Sequence, residues 1–318
     1  MKVVVTGEAG FLGSHLVDRL LELGYRVVVI DNISSGSPSN IKHHMDSPKF
    51  NFIKGDLREA GSWTDGFKRA HATFHMAANP EVRHSVREPL DHYHQNVTAT
   101  LNVLEVSRAY GIKYFVFASS STVYGDPKII PTPEEHPLEP ISVYGATKAM
   151  GEMLCSTYAK LYGMKCLNLR YANIVGSRLR HGVIADFILK LREEKSRLEI
   201  LGDGTQRKSY LYVADAIKAT MKAYSKLKNS ERQTITYNVG NLDWVTVGEI
   251  ADIVVQAMGL KNVEYTYNPG TPDGRGWPGD VKLVLLSIEK ITKDTGWKPR
   301  LTSREAVRLT AEELLKEL

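Results

Sequence analysis

Cysteine is scarce in this chain: two residues, Cys155 and Cys166, occur in 318, both in apolar surroundings. Two thiols make neither a disulfide scaffold nor a metal cage, so both are expected to be reduced core residues. No apolar run approaches the length of a membrane span, and Met1-Lys2 leads straight into Val3-Val4-Val5 without a long apolar leader. The expectation is a protein of the reducing cytoplasm with no membrane partner. A dominant charge sign is also missing: 41 Lys and Arg against 36 Asp and Glu leave a formal net charge of +5, spread along the chain. That balance suits a small anionic ligand and falls short of a nucleic-acid footprint. Metal-ligand patterns are lacking too. His92 and His94 stand two apart on an expected helix and face different ways, and His43-His44 have no partner ligands, so no metal is expected. Repeats, low-complexity tracts and flexible linkers are absent.

What the chain does have is alternation. Short apolar runs at 2–6, 26–31, 51–54, 72–76, 114–118 and 165–171 read as strands. Helical patterns fall between them at 10–23, 61–68, 93–110 and 142–162. This rhythm predicts an α/β fold, a Rossmann-type doubly wound parallel sheet, over residues 1–173. The helices at 93–110 and 142–162 carry apolar residues on faces that would otherwise meet solvent, so they are expected to pair with a second copy as a homodimer, the alternative being that both simply cover the sheet. After residue 173 glycine-rich segments at 202–204 and 269–279 alternate with helices at 184–194, 214–227, 247–258 and 303–317. A smaller α+β C-terminal domain over 174–318 is expected to hold substrate, with some segments returning to the first domain.

Gly7-Glu8-Ala9-Gly10-Phe11-Leu12-Gly13 follows the first strand and opens a helix. Glycines there allow a tight turn and let backbone approach a pyrophosphate seated on the helix N-terminus. Asp31 ends the second strand, where a carboxylate accepts hydrogen bonds from ribose hydroxyls and repels a 2′-phosphate. NAD is therefore expected over NADP. Asp56, after the third strand, could accept from the adenine amino group or be a solvated turn residue. Ala77-Ala78-Asn79 follow the fourth strand; their small side chains would admit the dinucleotide or simply ease packing.

Tyr-x-x-x-Lys occurs three times, at 124/128, 144/148 and 224/228. Pro127 and Gly125 argue against a helix at the first, and the third lies far from the glycine motif. Tyr144 opens a helix with Ser142 as a plausible N-cap, so Tyr144 and Lys148 share one face. An ammonium beside a phenol favours the phenolate, which can then take a proton from a sugar hydroxyl. Ser119-Ser120-Ser121, at a strand end just upstream, supplies a hydroxyl to orient that substrate.

In this order the motifs resemble the extended short-chain dehydrogenase/reductase family, and within it the UDP-glucose (UDP-galactose) 4-epimerases. The likeness runs from Thr6-Gly7-x-x-Gly10-Phe11-Leu12-Gly13 through Asp31-Asn32, Gly55-Asp56-Leu57, Ser119 to Gly125, Tyr144-x-x-x-Lys148 and Arg170-Tyr171-x-Asn173. It continues to Gly202-Asp203-Gly204 and Pro278-Gly279-Asp280. The resemblance implies NAD as cofactor, a UDP-sugar as substrate, and C4 epimerisation through a transient 4-keto sugar. It implies Ser120, Tyr144 and Lys148 as catalytic residues, with Phe11, Leu12, Asn32 and Leu57 joining the cofactor set. It also implies Asn173 on the substrate diphosphate and Asp280 on the uridine ribose.

Several positions depart from the family pattern. Glu8 stands where many relatives have glycine and is expected to point to solvent. The phosphate-binding arginine after Gly-Asp-Gly becomes Lys208, with Arg207 beside it; the planar guanidinium of Arg207 is the favoured phosphate ligand. The family's Arg-Pro-Gly-Asp reads Trp277-Pro278-Gly279-Asp280, with Arg275 expected to take over the missing contact. Ser121 and Thr122 occupy the places of the acid pair that drives elimination in related dehydratases, and related decarboxylases have a glutamate at the second. Val284, where a tyrosine narrows the sugar pocket of some relatives, predicts some turnover of N-acetyl sugars. Epimerases of UDP-N-acetylhexosamine or UDP-uronate, other sugar-nucleotide enzymes, and a non-catalytic NAD-binding regulator are the alternatives.

Overall fold

The computed structural model describes residues 1–318. Seven parallel strands form the central sheet: β1 (Lys2–Thr6), β2 (Arg26–Asp31), β3 (Phe50–Lys54), β4 (Ala72–His75), β5 (Tyr114–Ser120), β6 (Lys165–Tyr171) and β7 (Thr234–Val239). Their spatial order is β7-β6-β5-β4-β1-β2-β3. The runs Val3-Val4-Val5 and Tyr114 to Ala118 are buried throughout, as strands covered by helices on both faces require. The chain winds from β1 towards β3 in one direction and from β4 towards β7 in the other. The order reverses between β1 and β4, and a crevice opens there at the strand C-termini. Helices α1 (Phe11–Glu22), α2 (Ala99–Ala109) and α3 (Val143–Tyr162) lie against the sheet.

Local chemistry explains these boundaries. Ser142 caps α3 by accepting from the Gly145 amide at 3.1 Å, and Gly163 ends it in the left-handed region. The helix expected over 93–110 is α-helical only from Ala99; Tyr93–Thr98 is a π-helical turn. Within that turn the Asn96 side chain faces inward, accepting from the Asn79 amide at 2.8 Å and donating to Thr147 Oγ1 at 3.0 Å. One extra residue in a turn does not alter apolar periodicity enough to be read from sequence, and such bulges gather near functional sites. The helix expected at 61–68 is a 3-10 helix, Ser62–Phe67.

The seventh strand comes from the C-terminal part of the chain and pairs with β6 from Thr234 to Val239. Helices Val213–Lys228 and Glu289–Thr295 also return to the sheet's main core, whereas helices Val183–Glu193, Val247–Ala257 and Ser303–Glu317 pack around a separate apolar core. Short strands Arg207–Lys208 and Leu283–Val284 run parallel at the edge facing the crevice. Cys155 and Cys166 are buried free thiols. No helix is long and apolar enough to cross a membrane.

Candidate active site

Two cavities meet over the crevice. The larger, about 540 Å³, is lined by Gly7, Gly10, Phe11, Leu12, Gly13, Asp31, Asn32, Asp56, Leu57, Ala77, Ala78, Asn79, Tyr144 and Lys148. These are the residues that sequence reasoning assigns to the cofactor. Gly7 has φ +75°, and a Cβ there would lie 2.4 Å from the Ala77 backbone, so the loop after β1 touches the loop after β4 only because residue 7 lacks a side chain. No side chain caps α1, which leaves its first amides free to donate to an anion. Asp31 accepts from the Ala9 amide (3.0 Å) and the Ile33 amide (2.6 Å), so its carboxylate is fixed at the cavity wall. Asp56 is gripped by Arg58, with contacts down to 2.7 Å, and that hydrogen bonding lowers its pKa to about 2. An uncapped helix start, a side-chain-free approach and a fixed carboxylate together fit a dinucleotide.

At the junction stand Ser120, at the end of β5, and Tyr144, in the first turn of α3; both line the two cavities. Thr122 donates to Ser120 Oγ through its amide (3.2 Å) and hydroxyl (2.9 Å), fixing that oxygen. Lys148 lies one turn beyond Tyr144, buried, with Nζ donating to the Ala118 carbonyl at 2.8 Å and 5.8 Å from the centre of the Tyr144 ring. Burial pushes the Tyr144 phenol up to about 12, against the pull of the Ser120 hydroxyl. Burial also brings Lys148 down to about 8. In this state desolvation outweighs the ammonium's expected lowering of the phenol. The other two Tyr-x-x-x-Lys pairs are elsewhere. The Tyr124 hydroxyl donates to Asn238 and accepts from Arg170, each at 2.7 Å, and Tyr224 is sunk in the main core.

The second cavity, about 360 Å³, carries Asn173, Asp280 and Val284 beside Ser120 and Tyr144. It also carries Arg83, Lys208 and Trp277. Lys208 Nζ reaches Asp280 Oδ1 at 2.5 Å, and Asn173 donates to the Ser209 carbonyl at 3.1 Å.

The family described as NAD dependent epimerase/dehydratase matches residues 3–240. The chain belongs to this family. A crystal structure of a UDP-galactose 4-epimerase is 52% identical, superposes with a TM-score of 0.90, and each chain covers 100% of the other. The UDP-glucose 4-epimerase of Thermotoga maritima, solved with UDP-glucose, is 34% identical, with a TM-score of 0.87 over 100% of this chain and 99% of that one. The UDP-glucose 4-epimerase of Thermus thermophilus, solved with NAD, is 33% identical with a TM-score of 0.85, covering 100% of both chains.

Against this family background, four expectations need correction. Glu8 does not reach solvent: it is fully buried behind the glycine loop, and neither carboxylate oxygen has a hydrogen-bond partner. Burial first, and the charge of Asp31 second, hold its pKa well above the usual carboxyl value. Arg207 is exposed, lies outside the second cavity, and packs over Trp244 at 5.7 Å; adjacent strand residues face opposite ways, and Lys208 takes the inward one. Arg275 is also outside the cavity lining. Its guanidinium is occupied by Asp126 (2.8 and 2.9 Å) and Asp273 (2.6 Å). Finally, His43 and His44 do have a shared partner, the Asp18 carboxylate.

Sequence reasoning missed further groups. Arg83 forms no ion pair; its guanidinium and the Lys208 ammonium lie 5.3 and 5.5 Å from the Trp277 ring, whose buried N–H has no partner. Beneath the site, Glu152, two turns past Tyr144, accepts from Ser119 and from Arg170 at 2.7 Å, tying α3 to β5 and β6. His92 is buried edge-on to Tyr144 with ring centres 6.4 Å apart. Arg83, Glu152 and His92 lie in no contiguous motif that spacing alone would single out.

Proposed function

We propose that this chain interconverts UDP-galactose and UDP-glucose by inverting C4 of the sugar, with NAD as resident cofactor. The observation that carries the reading is the meeting of Ser120 and Tyr144 where the two cavities join, with Lys148 behind them. The likeness to proteins named for this reaction supports it.

Ser120 orients the sugar 4-hydroxyl, and Tyr144 takes its proton. Bound NAD+ supplies a reversible hydride acceptor and the positive charge that, with Lys148, draws the phenol towards ionisation. Lys148 stays on the cofactor side, anchored to Ala118. Lys208, Arg83 and Asn173 hold the diphosphate while Asp280 keeps the uridine ribose in place. The transient 4-keto sugar then offers its other face, and Tyr144 returns the proton. Positioned proton transfer of this kind contributes about 10²–10⁴-fold, and fixed geometry supplies much of the remainder.

The acting unit in this reading is a homodimer. Tyr93, Leu101, Met150 and Met153 are exposed on and beside the neighbouring helices α2 and α3, an apolar surface that a second copy would cover. Cytoplasmic residence belongs to the same reading and rests on the two buried, free thiols. The test is incubation of the purified protein with UDP-galactose and no added dinucleotide. Formation of UDP-glucose is expected; its absence from protein shown to retain NAD overturns the assignment.

A further inference from the structure

On the outer face of α1, three metal-capable side chains converge, none of them lining either cavity. Asp18 projects from the helix, and His43 and His44 come from a short turn between β2 and β3. Nε2 of His43 lies 3.0 Å from Asp18 Oδ1, and Nε2 of His44 lies 2.6 Å from the same oxygen. All three donor atoms fall within 4.8 Å of one another. We propose that Asp18, His43 and His44 form a binding site for a divalent transition-metal ion of the zinc and nickel type, separate from the reacting centre.

The geometry gathers the donor atoms that an ion needs. Sequence neighbours normally diverge, yet these two imidazoles lie with centres 3.9 Å apart and aim at one oxygen. Without an ion, both rings carry their proton on Nε2 and share one acceptor oxygen. A metal at bond lengths of about 2.0–2.2 Å to nitrogen and carboxylate oxygen takes the place of those two protons with a small opening of the three groups. Two imidazoles and one carboxylate are a borderline-soft set, which suits zinc or nickel better than magnesium or calcium.

The surroundings hold the ligands. The Arg178 guanidinium pairs with the other oxygen, Oδ2, at 2.9 Å, leaving Oδ1 for the ion; a partner on the far oxygen orients a ligating carboxylate. His44 packs on Phe50 with ring centres 5.7 Å apart. Ile41, buried in the core, and Asn40, whose amide donates to the Ala9 carbonyl at 2.8 Å, anchor the turn. The Arg178 charge weakens cation binding, and half-exposed His43 leaves room for water on the ion, so the site is exchangeable rather than a permanent structural centre.

The test is calorimetric titration of the NAD-bound, full-length protein with Zn²⁺ and Ni²⁺ in metal-stripped buffer at neutral pH, with Mg²⁺ as a control. One saturable Zn²⁺ or Ni²⁺ site per chain is expected. His43→Gln and His44→Gln should each weaken it about tenfold or more, and the double variant should abolish it while UDP-galactose turnover stays unchanged. No saturable binding to the parent protein overturns the proposal. So does binding that survives in the double variant.

Discussion

The cofactor end of the crevice is built from residues within a few positions of strand ends, while the substrate end is assembled from segments far apart in the chain. Gly7 to Gly13, Asp31, Ala77 and Ser120 follow directly from β1, β2, β4 and β5. Their placement needs only the sheet. Across the crevice, Lys208 is paired with Asp280, 72 residues away, and Lys282 with Asp203, 79 away. Arg275 reaches back 149 positions to Asp126. One end is a preformed cradle; the other is a set of loops held together by ion pairs at the site's edge.

The sharpest way to test this division is to remove one chemical group from each end. Tyr144→Phe keeps the ring and loses the proton acceptor; kcat should fall about 10²–10⁴-fold with little change in UDP affinity. A comparable rise in KM with kcat intact would shift Tyr144 into the binding half.

Lys208→Ala should act the other way. The loss of a charge-assisted contact to phosphate is expected to raise KM for UDP-galactose about tenfold to a hundredfold, leaving kcat nearly unchanged. Arg207→Ala should do neither, since its guanidinium lies on Trp244 outside the cavity. Equal effects from both variants would contradict the inward assignment of Lys208.

Val284→Tyr sharpens the comparison within the substrate end. Filling the sugar side of the cavity should cut UDP-N-acetylglucosamine turnover about tenfold or more relative to UDP-glucose, measured as a ratio of kcat/KM. Parent protein with no N-acetyl turnover would show that Val284 does not set the limit.

The smallest effect concerns stability beneath the cofactor loop. The folded-state pKa of Glu8 lies above its ordinary value of 4.5, so the folded chain binds more protons than the unfolded chain between those two values. The stability that its proton contributes is present below about pH 4.5 and is lost as pH rises through the folded pKa. Glu8→Gln removes that loss. Its melting temperature should match the parent near pH 4.5 and exceed it increasingly as pH rises to the folded pKa, levelling off above it, read by calorimetry.

The same contrast explains what can be read from the chain. Strands, the glycine loop and the Tyr144–Lys148 pair are legible because periodicity and spacing are local. The choice between Arg207 and Lys208 depends on which face a two-residue strand turns inward, and the adjacent strand Leu283–Val284 decides that register. Arg275 is misread because one of its carboxylate partners, Asp126, lies 149 residues away on another loop. Glu8 is misread because a loop motif does not reveal which way a side chain leaves it. The pairing of His43 and His44 with Asp18 needs the packing of α1 against the turn after β2.

The most direct measurement uses UDP-galactose carrying deuterium at C4. If the hydrogen is lifted from one face and returned to the other within a closed site, the UDP-glucose formed will retain deuterium at C4, even in ordinary water and without added dinucleotide. Loss of that deuterium to solvent, with product still forming, would mean inversion proceeds by another route and would contradict the account built on Tyr144 and its neighbours.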